Sequence, residues 1–553
     1  MESSSAAAPA PAPGPGPTAD GDPSPSSGGD KKQQEEGLPE VINIVETGDL
    51  ILDATFENSK ATLRSARRSL PRMPASSSSS SSSSPLPPAT AETPLRARVR
   101  LGFRVSLAVL RRQSAYFDRL LGDARFREGR AVDAALSALA ARGVAPGTAD
   151  PADLPWVAVH DDDEATLYAR REVVFADLLR VLHGREASGA RGTTPAAAAV
   201  TMQYVTTLAV LADRFDCTAA VGRYVGGAGL KFKWPVTSKR PSGSSGTKDD
   251  ALLGPVMSKS MENILRQKIL VSWLLNQPGK FQDATKELIM NGSCRWCSFG
   301  EEEGGDTGAD AATWWYLQDG LEEELQYRRH CILNTIASVQ QHFLALYASR
   351  GPGAQRQCKL GYDSSAACDS YQLGEMVKFL VHKRLLFLAD FSPASLDALP
   401  DAALLPVDAL LAALRQCPAY QVDKNHANCG LRTRLLPILD FIQALLSANS
   451  VPIARAAWKA NRQAAAWMPP APGQGADRNR RAGVRGGGHD DGGGDSRPFR
   501  FTRSMAGDQR LRFENAMGAD KFAREVFTAT SWDWTAEDQG PEHVSTTPKF
   551  PWR

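Results

Sequence analysis

From Arg98 to Gly129 the chain reads RVRLGFRVSLAVLRRQSAYFDRLLGDARFREG, and two periodicities meet there with almost no linker between them. Val99, Leu101, Phe103 and Val105 alternate with Arg98, Arg100, Gly102 and Arg104, the period of two that gives a strand one buried face. Leu107, Val109 and Leu110, then Tyr116, Phe117, Leu120 and Leu121, switch to spacings of three and four, the period of a helix. Here a short strand feeds directly into two short helices. The expected fold class is α+β here, followed by a mainly α-helical part with long disordered segments.

Much of the 553-residue sequence cannot build a core, because Pro, Ala, Ser and Gly tracts bury too little apolar surface to offset chain ordering. Residues 1–40 form one such tract, expected to be a disordered tail. Val41 to Val45 and Gly48 to Phe56 are β-rich and bounded by Gly and Asn, as strands are. A low-complexity insertion follows at about 64–95, with nine serines at Ser76 to Ser84 and then PLPP, and is expected to loop out between two strands of one sheet. Ala131 to Gly147 is Ala-rich and open to either reading. Trp156, Val157 and Val159 predict a further strand, and the turn Asp161-Asp162-Asp163 that follows reads as a solvated helix start rather than a cation site. Val173 to Leu182 and Val205 to Phe215 predict helices, the first ending near His183-Gly184.

The order VINIVETGDLILDAT, FRVSLAVLRRQSAYFDRLL, LPWVAVHDDDEATLYARREVVFADLLRVLHG and VTTLAVLADRFDC resembles a BTB/POZ domain, spanning 41–228 with insertions. The resemblance implies a module that binds proteins, itself or another as an adaptor, and catalyses nothing. Two departures from the family pattern weaken cullin binding as an expectation: Ser106 stands where many members carry a histidine, and no clear hydrophobic-x-Glu signature follows the equivalent of the third helix. Phe103, Leu110, Tyr116 and Phe117 lie on or beside the expected interface helices, although a core role is the simpler one for Phe103 and Leu110.

After a linker at 229–256, residues 257–467 read as an α-helical domain. Its expected helices include Ile264 to Leu275, Phe281 to Met290, Leu321 to Tyr347, Gln372 to Leu388, Pro406 to Arg415 and Thr433 to Leu446. The words QCKLGYDSSAACDSYQLGEMVKFL and ALRQCPAYQVDKNHANCGLRTRLLPILDFI are similar to segments of large fungal BTB proteins, a similarity that carries no activity with it. A Gly/Arg-rich linker at 468–498 holds Arg478, Arg480, Arg481 and Arg485, and 499–553 is too aromatic for a solvated tail. A helix over roughly Gly507 to Phe527 is expected to dock on the body or on a partner.

Eight cysteines in a chain without a secretory signal are better read as reduced thiols or metal ligands than as disulfides. Cys358, Cys368, His426 and Cys429 fall on two polar loops, with Cys417 as an alternate ligand. Thiolates and imidazole suit a structural zinc ion, pinning loops that have little apolar content of their own. The plainer alternative is a set of small buried thiols with His426 bonded to backbone. Cys294-Arg295-Trp296-Cys297 offers a third arrangement, either as a redox pair or with His426 and Cys429 as a Cys₃His zinc set, but no thioredoxin-like βαβ unit surrounds it.

The sequence contains no phosphate loop, nucleophile elbow or H-E-x-x-H pair, and lone histidines such as His330, His342 and His382 read as surface or cap residues. A formal charge of +2 gives no global field toward nucleic acid or membrane, and no run of about 18 apolar residues suggests a span. The expectation is a non-enzymatic intracellular protein of cytoplasm or nucleus that associates with protein partners. The competing reading is a nuclear regulator with zinc-stabilised loops that touches nucleic acid weakly through the Arg/Gly stretch.

Overall fold

The computed structural model describes residues 38–69, 95–187, 200–227, 230, 232–237, 257–296, 312–349, 356–358, 360, 363–385, 404–426, 429–470, 498–508, 511 and 517–535. From residue 40 onward these form one compact unit of mixed α+β structure. Residues 1–37 of the expected disordered tail and the Arg/Gly stretch with Arg478, Arg480, Arg481 and Arg485 lie outside the described residues.

Four strands build the sheet: β1 (Val41–Asn43), β2 (Leu50–Glu57), β3 (Arg98–Val105) and β4 (Trp156–Asp161), in the order β1-β3-β2-β4. β2 and β3 are antiparallel, with Leu52 opposite Phe103, while β1 runs parallel to β3 and β4 parallel to β2. Between β2 and β3 lies helix α1 (Lys60–Ser69), so the first residues assigned to the low-complexity insertion are helical. The reason is local: Thr62 and Leu63 are buried against the body while Lys60, Arg64, Arg67 and Arg68 face water. The rest of that insertion, 70–94, lies outside the described residues.

β3 ends at Val105 and passes through Ser106 alone into α2 (Leu107–Gln113); Ser114 then starts α3 (Ala115–Gly122). The Ser114 hydroxyl accepts the Phe117 N–H at 3.1 Å and donates to the Phe215 carbonyl at 2.6 Å, which caps α3 and ties it to the body. The ambiguous Ala-rich stretch is α4 (Arg127–Ala141), held by Val132 and Leu139. Three more helices, α5 (Arg171–Leu182), α6 (Met202–Arg214) and α7 (Thr218–Gly226), complete this half. Its core centres on Phe175, whose ring lies 5.7 Å from Phe56, 5.4 Å from Phe103 and 5.4 Å from Phe215. Phe117 stacks on Phe215 at 5.4 Å.

The helical half comprises α8 (Lys259–Leu274), α9 (Pro278–Asn291), α10 (Leu321–Ala348), α11 (Ser365–His382), α12 (Val407–Arg415), α13 (Arg432–Leu446), α14 (Arg455–Ala460) and α15 (Arg462–Ala465). α11 begins seven residues before its expected start at Gln372 and ends at His382, six before Leu388. α8 serves both halves: Leu265 and Ile269 enter the helical core, while Val271 and Leu275, the residue that caps the helix, enter the core around Phe175. At that joint α7 comes so close that a Cβ on Gly222 would lie 2.8 Å from the Leu275 carbonyl oxygen.

The aromatic C-terminal stretch docks on the body. It forms β5 (Phe499–Arg500), α16 (Arg503–Gly507), α17 (Met517–Phe527) and β6 (Trp532–Asp533), two short helices where one was expected. β5 and β6 pair in parallel, and Trp534 is fully buried, its indole N–H donated to Ser338 Oγ of α10 at 2.8 Å. Phe441 of α13 packs on Phe499 and Phe501.

Candidate metal centre

The loop before α11, the first turn of α11 and the turn before α13 bring four side chains together: Cys358, Cys368, His426 and Cys429. Their ligand atoms, three sulfurs and one imidazole nitrogen, all lie within 4.8 Å of one another. Cys358 Sγ is 3.5 Å from His426 Nδ1 and 3.6 Å from Cys429 Sγ, and Cys429 Sγ is 3.6 Å from His426 Nδ1. A tetrahedral ion with bonds of about 2.3 Å to sulfur and about 2.05 Å to nitrogen has ligand-to-ligand edges of about 3.5 to 3.8 Å. The three distances therefore match the edges of one such polyhedron. Cys358, Cys368 and His426 are buried and Cys429 is half-buried.

Neighbouring residues orient the ligands. Asp369, next to Cys368 on α11, accepts the backbone N–H groups of Gln357 and Cys358, each at 2.8 Å. Arg434 on α13 donates to the Gln357 side-chain oxygen at 2.7 Å and to its carbonyl at 3.1 Å. The Cys358 backbone is thereby fixed to both helices. Ser364 Oγ sits 3.1 Å from His426 Nε2, so an Nε2–H donated to the serine leaves the Nδ1 lone pair facing the sulfurs. The His426 N–H is held by the Asp423 carbonyl and carboxylate, which sets the turn.

The thiols perturb one another. Burial raises Cys358, but hydrogen bonds from Ser365, the Leu360 backbone, Cys429 and His426 outweigh it and bring that thiol down to about 7. Cys368 is pushed up to about 12 by burial and by the negative charge of Cys429 and Cys358, and Cys429 is raised by burial and by Cys358. Without a cation, one thiolate makes the next harder to form. Soft sulfur donors plus one imidazole are a donor set that can hold a thiophilic cation by protein groups alone.

Cys417 does not join the set: it is buried in the helical core, its Sγ lies 3.8 Å from the Pro418 carbonyl, and burial pushes it up to about 11. Cys294 does not join the set either, its sulfur lying 3.7 Å from the Met257 carbonyl; Cys297, and with it the expected Cys294–Cys297 pair, lies outside the described residues. The Asp161–Asp163 turn is taken up by the fold. Asp161 is buried against Arg171 at 2.6 Å and also pairs with Arg214, and Asp163 accepts the Ser59 N–H at 2.8 Å. His330 and His342 are half-buried on α10, whereas His382 is exposed. Of the four candidate interface residues, Phe103, Leu110 and Phe117 are fully buried core side chains that offer a partner no surface, while Tyr116 is 37 % exposed. The hydroxyl and carboxylate beside the set, Ser364 and Asp369, carry no spacing signature and were not singled out in the sequence; Asp369 directly follows Cys368, and Ser364 stands four residues before it.

No family model matches this chain. No curated protein or solved structure matches it either. Among the described residues no helix is long and apolar enough to cross a membrane.

Proposed function

We infer that the chain is a non-enzymatic association protein, which assembles with itself or serves as an adaptor through a BTB/POZ-like module at 41–228. The observation that carries this reading is the unit β3–α2–α3, in which single residues, Ser106 and Ser114, join a strand to two short helices. Its support comes from the residues packed behind it: Phe103, Leu110 and Phe117 anchor the unit from within, and the outer surface keeps Tyr116 and, just past α3, Phe126 exposed. Large aromatic side chains at a surface are the residue type on which association energy concentrates.

Multi-angle light scattering of the full-length chain at micromolar concentration tests the self-association arm. A dimer is expected, with Tyr116→Arg shifting it toward monomer while leaving the far-ultraviolet circular dichroism unchanged. A wild-type chain that stays monomeric throughout that range overturns self-association.

A further inference from the structure

We propose that Cys358, Cys368, His426 and Cys429 bind one Zn²⁺ ion, with His426 ligating through Nδ1, and that this ion ties α11 to α13. The inference stands independently of the association reading.

Three features carry it. First, Cys358 lies 68 residues from His426 and 71 from Cys429 in the sequence, yet its sulfur meets them at 3.5 and 3.6 Å. Incidental burial of small thiols has no reason to place an imidazole lone pair at the same point. Second, all four ligand atoms fall within 4.8 Å, which suits a single ion rather than a polynuclear cluster, whose ligands stand on opposite sides of the metal atoms. Third, the surrounding hydrogen bonds are those a metal-ligating set requires. Ser364 fixes the imidazole tautomer, and Asp369 and Arg434 hold the Cys358 backbone in place.

Among cations, zinc takes this donor set at tetrahedral geometry, and four protein ligands close its coordination, as in structural rather than catalytic sites. Three thiolates and one neutral imidazole around Zn²⁺ leave a net charge of −1. Arg434, bonded to Gln357 beside the first ligand, sets a cation near that charge. Binding would displace the protons still held by the thiols and fasten together segments that contribute little apolar surface.

The test uses the full-length chain, purified under reducing conditions without chelator from zinc-supplemented cells. Elemental analysis should find about one zinc per chain. Cys358→Ser combined with Cys429→Ser should bring this near zero, while Cys417→Ser, which alters a buried thiol outside the set, should leave it unchanged. Ser364→Ala should weaken zinc binding by roughly tenfold or more, as loss of a ligand-orienting partner does. Because the double variant could fail to fold, Co²⁺ is also added to metal-stripped wild-type chain. Tetrahedral d–d bands with thiolate charge transfer are expected, and Zn²⁺ should abolish them. A wild-type chain that carries no zinc and gives no such bands overturns the proposal. So does zinc retained by the double variant, or iron found in place of zinc.

Discussion

The backbone N–H of Ser106 is donated to Nε2 of His183, 3.1 Å away, while Nδ1 of the same ring lies 2.7 Å from the Leu179 carbonyl. Only the neutral ring with its proton on Nδ1 satisfies both contacts, so a histidine at the end of α5 caps the start of α2. Burial holds His183 below the usual imidazole range.

That lowered value makes stability depend on acid. Unfolded, the ring takes a proton near pH 6.5; folded, it resists to lower pH, so the unfolded state binds more protons as pH falls. The contribution of His183 is therefore full above about pH 6.5 and is lost as pH drops toward the lowered folded value. Urea denaturation should show a steeper loss between pH 7 and 5 for wild type than for His183→Gln, whose amide oxygen still accepts the Ser106 N–H. Equal slopes would remove the histidine from the explanation.

Phe175 touches Phe56, Phe103 and Phe215, joining strands to helices. Phe175→Ala should cost about 3–5 kcal/mol, the usual range for an aromatic removed from a packed core. The urea midpoint measures it, and a loss under about 1 kcal/mol would mean the neighbours collapse into the space.

Glu324 is buried, accepts the N–H groups of Trp467 and Met468 at 2.7 and 3.2 Å, and pairs with Arg328 at 2.6 Å. Arg328 in turn donates to the carbonyls of Ser450, Val451, Pro452 and Ala465. Glu324→Gln leaves a buried guanidinium without its counter-charge, a change that costs roughly 3–5 kcal/mol. Quenching of tryptophan fluorescence should report Trp467 loosening before global unfolding. Wild-type quenching in the variant would argue that the arginine alone holds the segment.

Gly222→Ala puts a carbon where only 2.8 Å separates it from the Leu275 carbonyl. Overpacking of this kind costs about 1–3 kcal/mol. Since α8 contributes to both cores, the two halves should unfold together in wild type and separate into two calorimetric transitions in the variant. A single unchanged transition would show that the joint tolerates the methyl group.

The alternation through β3 and the helical spacing from Leu107 to Leu121 were readable because each residue's face follows from local period alone. Helix α10 was equally plain, its bounds, Leu321 and Ala348, lying within one residue of those expected. The four converging side chains were legible as residue types, but Cys368, expected on a loop, stands in the first turn of α11, and nothing local dictates that Cys358 meets His426, since that contact depends on how α11 and α13 pack. The same limit explains Phe117: on the sequence it sits on an outward helix, and only its stacking on Phe215 shows that it faces in. Helix α1 was hidden because its apolar contribution is a single leucine, Leu63, in an otherwise cationic stretch. α8 was read as one domain's helix, since a helix buried on two sides has the same spacing whichever core each side enters.

Trp534 closes against Ser338 across a sequence separation of 196 residues. At a synthesis rate of about 5–20 residues per second, roughly 10 to 40 seconds pass between the making of α10 and the making of the side chain that covers it. During that interval a nascent chain presents an aromatic-sized apolar notch to everything around it. The packing of α10 is therefore completed only by a side chain close to the C-terminal end of the described residues.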